Sequence, residues 1–112
     1  EYYYKLEYDI NRSLRLVLDT AIHFFGWDYK KCFDISKKYI DNTDDSIHKT
    51  LLRYICMPGQ AITYKIGGNT MIYLQNKLIE KGYTIQEFHK LILDMGPIPI
   101  SFLIDSLLKY AQ

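Results

Sequence analysis

An excess of one charge is the first thing missing from this 112-residue sequence: 14 Lys+Arg stand against 13 Asp+Glu, a formal net charge of +1. Bulk charge gives no pull toward nucleic acid or an anionic surface, so no nucleic-acid partner is expected. No apolar run approaches the ~20 residues of a membrane-spanning helix, so no membrane partner is expected either. Cysteine is scarce: Cys32 and Cys56 lie far apart and fit no metal-binding or redox spacing. Both are expected to be small buried apolar residues, although a disulfide between them stays open. Unpaired thiols would suit a reducing compartment. The three histidines, His23, His48 and His89, form no HExxH or H-x-H, and no metal is expected to bind this chain. GxGxxG, Walker A and G-x-S-x-G motifs are missing, as is any alternating apolar pattern that would mark a strand.

What is present is helical periodicity and tyrosine. Hydrophobic residues make up 48% and charged residues 24%, enough apolar surface for one core without staples. The 11 tyrosines suit interfaces as well as cores, because one end of the ring tolerates water. The pattern predicts an all-α bundle of about six helices in one domain, residues 1–112. A tyrosine-rich lead-in covers 1–8. A first helix spans about 9–25 and ends at Gly26, with Ile10, Leu14, Val17, Leu18, Ala21 and Phe25 on one broad face. Asp28 caps a second helix over about 29–40. A third runs over about 46–56 after a polar loop, and Pro58-Gly59 breaks the chain. A fourth covers about 60–80. Its Gly67-Gly68 pair predicts a kink or a close helix approach. Thr84-Ile-Gln-Glu87 is a capping box for a fifth helix over about 85–95. Pro97-Ile-Pro99 leads to a sixth over about 100–110.

Two stretches carry more polar chemistry than a helix surface requires. Arg12, Arg15, Asp19 and His23 are spaced by three, four and four, so they share one stripe opposite the apolar face. That stripe is either a solvated face with i,i+4 charge pairs or the lining of a cleft in which Asp19 orients Arg15 or His23. Gln60, Tyr64 and Lys65 put polar groups on the first turns of the helix after Pro58-Gly59. Core or surface duty would explain these too.

These same stretches are recognisable. Arg15-Leu-Val-Leu-Asp-Thr-Ala-Ile-His23 followed by Gly26-Trp27 resembles an R-L-V-x-D-T-G-I-H-x-x-G-W run. Arg53-Tyr54 with Pro58-Gly-Gln-Ala-Ile-Thr-Tyr-Lys-Ile-Gly67 resembles R-Y-x-x-x-P-G-Q-A-x-x-Y-K-I-G. Phe88-His89, Gly96 and Pro99 fit a weaker third motif. Order and spacing resemble the C-terminal part of the bacterial domain of unknown function 885 family, whose members look like mainly helical HExxH zinc metallopeptidases. Ala21 stands where the motif has glycine, and Gly68 adds a second glycine after it.

The resemblance implies the C-terminal, substrate-cleft segment of a larger zinc-dependent peptidase, inactive alone. Zinc and its HExxH helix would belong to a missing N-terminal region, an expectation that fits a chain starting at Glu1 without Met. A peptide substrate would be the partner of the intact enzyme. Within such a cleft, Tyr64 and His23 are the candidate catalytic residues, because a phenol O–H and an imidazole N–H can each donate to an oxyanion. Arg15, Asp19, Arg53, Tyr54, Gln60 and Lys65 are the candidate substrate-binding residues. The alternative is a free-standing helical binding module, or a non-catalytic remnant of such an enzyme.

Overall fold

Helix starts in this chain are written in side-chain oxygens, which accept the backbone N–H groups that a first turn leaves unpaired. In the computed structural model, which describes residues 1–110, Asp28 accepts from the Lys31 amide at 2.8 Å and opens α2 (Tyr29–Tyr39). Thr43 accepts from the Ser46 amide at 3.3 Å and opens α3 (Asp44–Cys56). Thr84 and Glu87 form a reciprocal capping box that opens α5 (Ile85–Met95). The remaining helices are α1 (Tyr2–His23), α4 (Thr63–Glu80) and α6 (Ile100–Tyr110). The described residues form six α-helices and no strand, an all-α architecture.

Several details depart from the sequence expectation, each for a local reason. α1 begins at Tyr2, so the tyrosine-rich lead-in is its first turns. It ends two residues early, where Trp27 donates its amide back to the Ala21 carbonyl at 3.0 Å, a closure that Gly26 permits with its φ of +65°. α3 starts two residues early because Thr43 caps it, which puts Asp44 and Asp45 in the first turn where the helix dipole favours anions. Cys32 is buried, but Cys56 ends α3 exposed, and both thiols are free. Burial and the nearby Asp28 carboxylate push the Cys32 thiol up from its ordinary value. Gly67-Gly68 lies inside an unbroken α4. A Cβ at Gly67 would meet only Ile100 Cδ1, at an ordinary 3.9 Å, and at Gly68 nothing, so no close helix approach requires the pair.

By its contacts the chain divides into two compact units, Glu1–Ile66 and the residues from Gly67 onward. In the first, α1, α2 and α3 pack on one another around Leu14, Leu18, Cys32, Ile47, Leu51, Tyr54 and Ala61. The i,i+4 spacing of Leu14 with Leu18 and of Ile47 with Leu51 supplies the buried stripes. In the second, Leu74 and Leu78 of α4 share a core with Phe88 of α5 and Leu103 and Leu107 of α6. The first helix buries only part of the face its pattern suggests: Leu14, Leu18 and Ala21 are buried. Ile10, Val17 and Phe25 are exposed, Val17 at 48%, whereas Asp19 is 3% exposed. Neighbouring elements cover α1 along Leu14, Leu18 and Asp19, so the polar stripe borders the buried surface instead of opposing it.

The capping box makes a testable claim about the second unit. Glu87 is held below the usual carboxylate range, first by the Thr84 amide and then by the Thr84 hydroxyl. A lowered folded value means that its contribution is complete above the ordinary glutamate range and is lost as pH falls through the lowered value. Thr84→Ala should destabilise the unit by about 1 kcal/mol, read by chemical denaturation followed by circular dichroism. Its deficit should shrink in acid. An unchanged transition would show that the cap contributes nothing.

Candidate functional site

The first unit brings the two polar stretches face to face. From α1 come Tyr8, Arg12, Arg15, Asp19 and His23; from the end of α3 and beyond come Arg53, Tyr54, Gly59, Gln60, Tyr64 and Lys65.

Two hydrogen bonds tie these segments together. Asp19 accepts from the Gly59 amide at 3.1 Å, while its second carboxylate oxygen is buried without a partner. Gly59 has φ +81°, a conformation that side chains strain against, so the Pro58-Gly59 sequence both breaks the helix and aims an N–H at Asp19. His23 Nε2 lies 2.9 Å from the Tyr54 carbonyl oxygen. A carbonyl only accepts, so Nε2 carries the proton in this bond. Tyr54 itself is buried. Burial pushes its phenol up, and the Arg15 guanidinium beside it partly offsets that rise.

A second set surrounds Tyr64, which is 44% exposed. The Arg12 guanidinium sits 3.9 Å from the Tyr64 ring centroid and 4.4 Å from that of Tyr8, and it hydrogen-bonds the Tyr8 hydroxyl. Arg15 lies farther off, 5.9 Å from the Tyr64 ring. Cations stacked on rings in this way are held by the ring quadrupole. Arg53 donates to the Gln60 side-chain oxygen at 3.3 Å, and the Gln60 amide donates to the Tyr64 oxygen at 3.4 Å. These neighbours hold the Tyr64 phenol below its ordinary value, Gln60 first and Arg12 next.

Of the residues expected from sequence, Arg53, Gln60 and Tyr64 form one relay, and Arg15 stands between it and Tyr54. Asp19 is enclosed, and His23 is occupied by a backbone carbonyl. Lys65 is paired with Asp9 at 2.6 Å. Sequence reasoning placed Arg12 on the stripe but not in the site, and it missed Tyr8. The i,i+4 spacing of Tyr8 and Arg12 was the available signal, hidden because residues 1–8 were not read as helix. Among the described residues, no three His, Cys, Asp or Glu side chains converge as a metal site requires. No helix among them is long and apolar enough to cross a membrane.

Fold and site together define an all-α protein whose first three-helix unit presents an arginine-framed tyrosine. The sequence pattern of the family described as bacterial protein of unknown function (DUF885) matches residues 1–107, and the chain belongs to that family. No curated protein and no solved structure matches it.

The electrostatics around Tyr64 can be read by absorbance titration of the phenols. Gln60→Ala and Arg12→Gln should each move the Tyr64 midpoint up toward ordinary tyrosine. Midpoints unchanged in both variants would show that neither group acts on the phenol.

Proposed function

We propose that this chain forms the substrate side of a peptidase cleft, with Tyr64 donating to the oxyanion that forms when a peptide carbonyl is attacked. The observation that carries this reading is the direction of the relay. Gln60 donates to the Tyr64 oxygen, which leaves the hydroxyl hydrogen free on an exposed residue. A nearby guanidinium makes the phenol a stronger donor, and preorganised donors are most effective where charge develops in the transition state. His23 is the weaker candidate, because its Nε2–H is spent on the Tyr54 carbonyl. Arg53 and Gln60 would position the phenol, and Arg12 and Arg15 would attract the substrate's carboxylates. Asp19 would act through Gly59 as a positioning residue.

The described residues do not fit a catalytic zinc, which needs three protein ligands. Nothing in this reading therefore runs through a metal bound by this chain.

A second reading, a helical binding module without catalysis, is favoured by one feature. A mainly apolar groove of about 550 Å³ lies along Ile10, Val17, Trp27, Ile35 and Tyr39, with Asp9 and Lys38 also in its lining. Peptide hydrolysis by the natural polypeptide that contains this chain separates the two. The peptidase reading predicts turnover that Tyr64→Phe lowers about 100-fold or more, with KM and the melting temperature little changed. Peptide binding without any hydrolysis would favour the module. Full turnover in both Tyr64→Phe and His23→Ala would overturn the site assignment.

A further inference from the structure

The three helices of the first unit enclose a second, smaller space that the Tyr64 face does not explain. It has a volume of about 190 Å³, several times the ~30 Å³ share of one water. Its lining is polar where a three-helix contact would ordinarily be apolar. Asn11 and Arg15 line it from α1, one turn apart; Ser46, Thr50 and Tyr54 line it from α3 at successive turns; and Asn42 lines it from the connecting loop. Buried Leu18 and Ile47 flank these groups, so the space lies against the core.

The charge in this space is unbalanced. Arg15 is its one charged lining residue among those described, and no carboxylate pairs with it. All five ion pairs among the described residues use lysines. The half-buried Arg15 guanidinium bonds the neutral Tyr54 hydroxyl and forms no ion pair, so it can still answer an anion, because the cation has lost part of its hydration. Among the described residues, the side chains of Asn42, Ser46 and Thr50 make no hydrogen bond, which leaves two hydroxyls and an amide in the same lining as that cation. The planar guanidinium matches a carboxylate through two parallel N–H···O bonds. A dianion fits less well. Only one positive charge faces the space, and Asp41, Asp44 and Asp45 flank Asn42 and Ser46 in the chain.

We propose that this cavity is a binding site for a small monocarboxylate, gripped by Arg15 and completed by the hydroxyls of Ser46 and Thr50. The acid enters either free or as the carboxylate end of a longer molecule, and the space admits only a few carbons behind the carboxylate. This site shares Arg15 with the peptidase reading but uses neither Tyr64 nor the Arg53–Gln60 relay, so propionate binding is read independently of peptide hydrolysis.

The test is a nuclear magnetic resonance titration of the nitrogen-15-labelled chain with sodium propionate, against sodium chloride at equal ionic strength. Saturable shifts are expected at the amides around Arg15, Ser46, Thr50 and Tyr54. Arg15→Gln and Thr50→Val should each weaken the propionate dissociation constant roughly tenfold or more, and phosphate should bind more weakly than propionate. Thr50→Val removes a hydroxyl at nearly constant volume, so it remains informative if Arg15→Gln fails to fold. A short peptide that binds with a free C-terminus but not as its C-terminal amide would identify the chain end as the source. Binding of propionate alone would identify a free acid. Equal shifts with chloride, no saturation, or undiminished binding in Thr50→Val would each overturn the proposal and leave the cavity as a water pocket.

Discussion

A single buried carboxylate organises the first unit. Asp19 sits on α1 between two arginines and a histidine, yet it is the enclosed member of that stripe and grips the Gly59 amide. A buried carboxylate is tolerated only where hydrogen bonds replace its water, and the Pro58-Gly59 turn supplies one. The turn in turn sets where the following residues lie. Gln60 falls within reach of Arg53, and Tyr64 comes under Arg12. The His23 bond to the Tyr54 carbonyl adds a second tie between α1 and the end of α3. With the shared core and the Lys65–Asp9 pair, these two ties hold together the two segments that build the relay on Tyr64.

The division of labour between lysine and arginine follows from their chemistry. Lysines take the surface pairs, such as Lys49 with Asp45 and Lys90 with Asp94, which are exposed i,i+4 contacts of small energetic weight. Arginines instead stack on rings or bond neutral oxygens, as Arg12 does on Tyr8 and Tyr64 and Arg53 does on Gln60. Their positive charge is therefore held in place without being neutralised. That is the arrangement a site for carboxylates requires, whether on the exposed face at Tyr64 or in the polar cavity at Arg15.

How much of this was legible in the sequence depended on whether the signal was local. α5 and α6 have the predicted bounds, because a capping box and a Pro-Ile-Pro connector act within a few residues. α1 was read too short, since consecutive tyrosines carry little periodicity. Its apolar face was read too broadly: Leu14, Leu18 and Ala21 are buried as expected, while Ile10, Val17 and Phe25 stay exposed. The motif residues on α1 and α4 were visible as polar intrusions into a helical pattern. Their partners were not, since the Asp19–Gly59, His23–Tyr54 and Arg12–Tyr64 contacts join residues dozens of positions apart. The polar cavity was equally hidden: Ser46 and Thr50 look like ordinary surface positions until α1 brings Arg15 against them.

If Asp19 holds the Pro58-Gly59 turn, the Gly59 amide should be shielded from solvent exchange. Hydrogen–deuterium exchange resolved at that amide tests the account most directly. Protection comparable to the core amides of Leu18 and Leu51, lost selectively in Asp19→Ala while those core amides stay protected, is the predicted result. Exchange at Gly59 as fast as in an unstructured chain, or protection unchanged by Asp19→Ala, would contradict it.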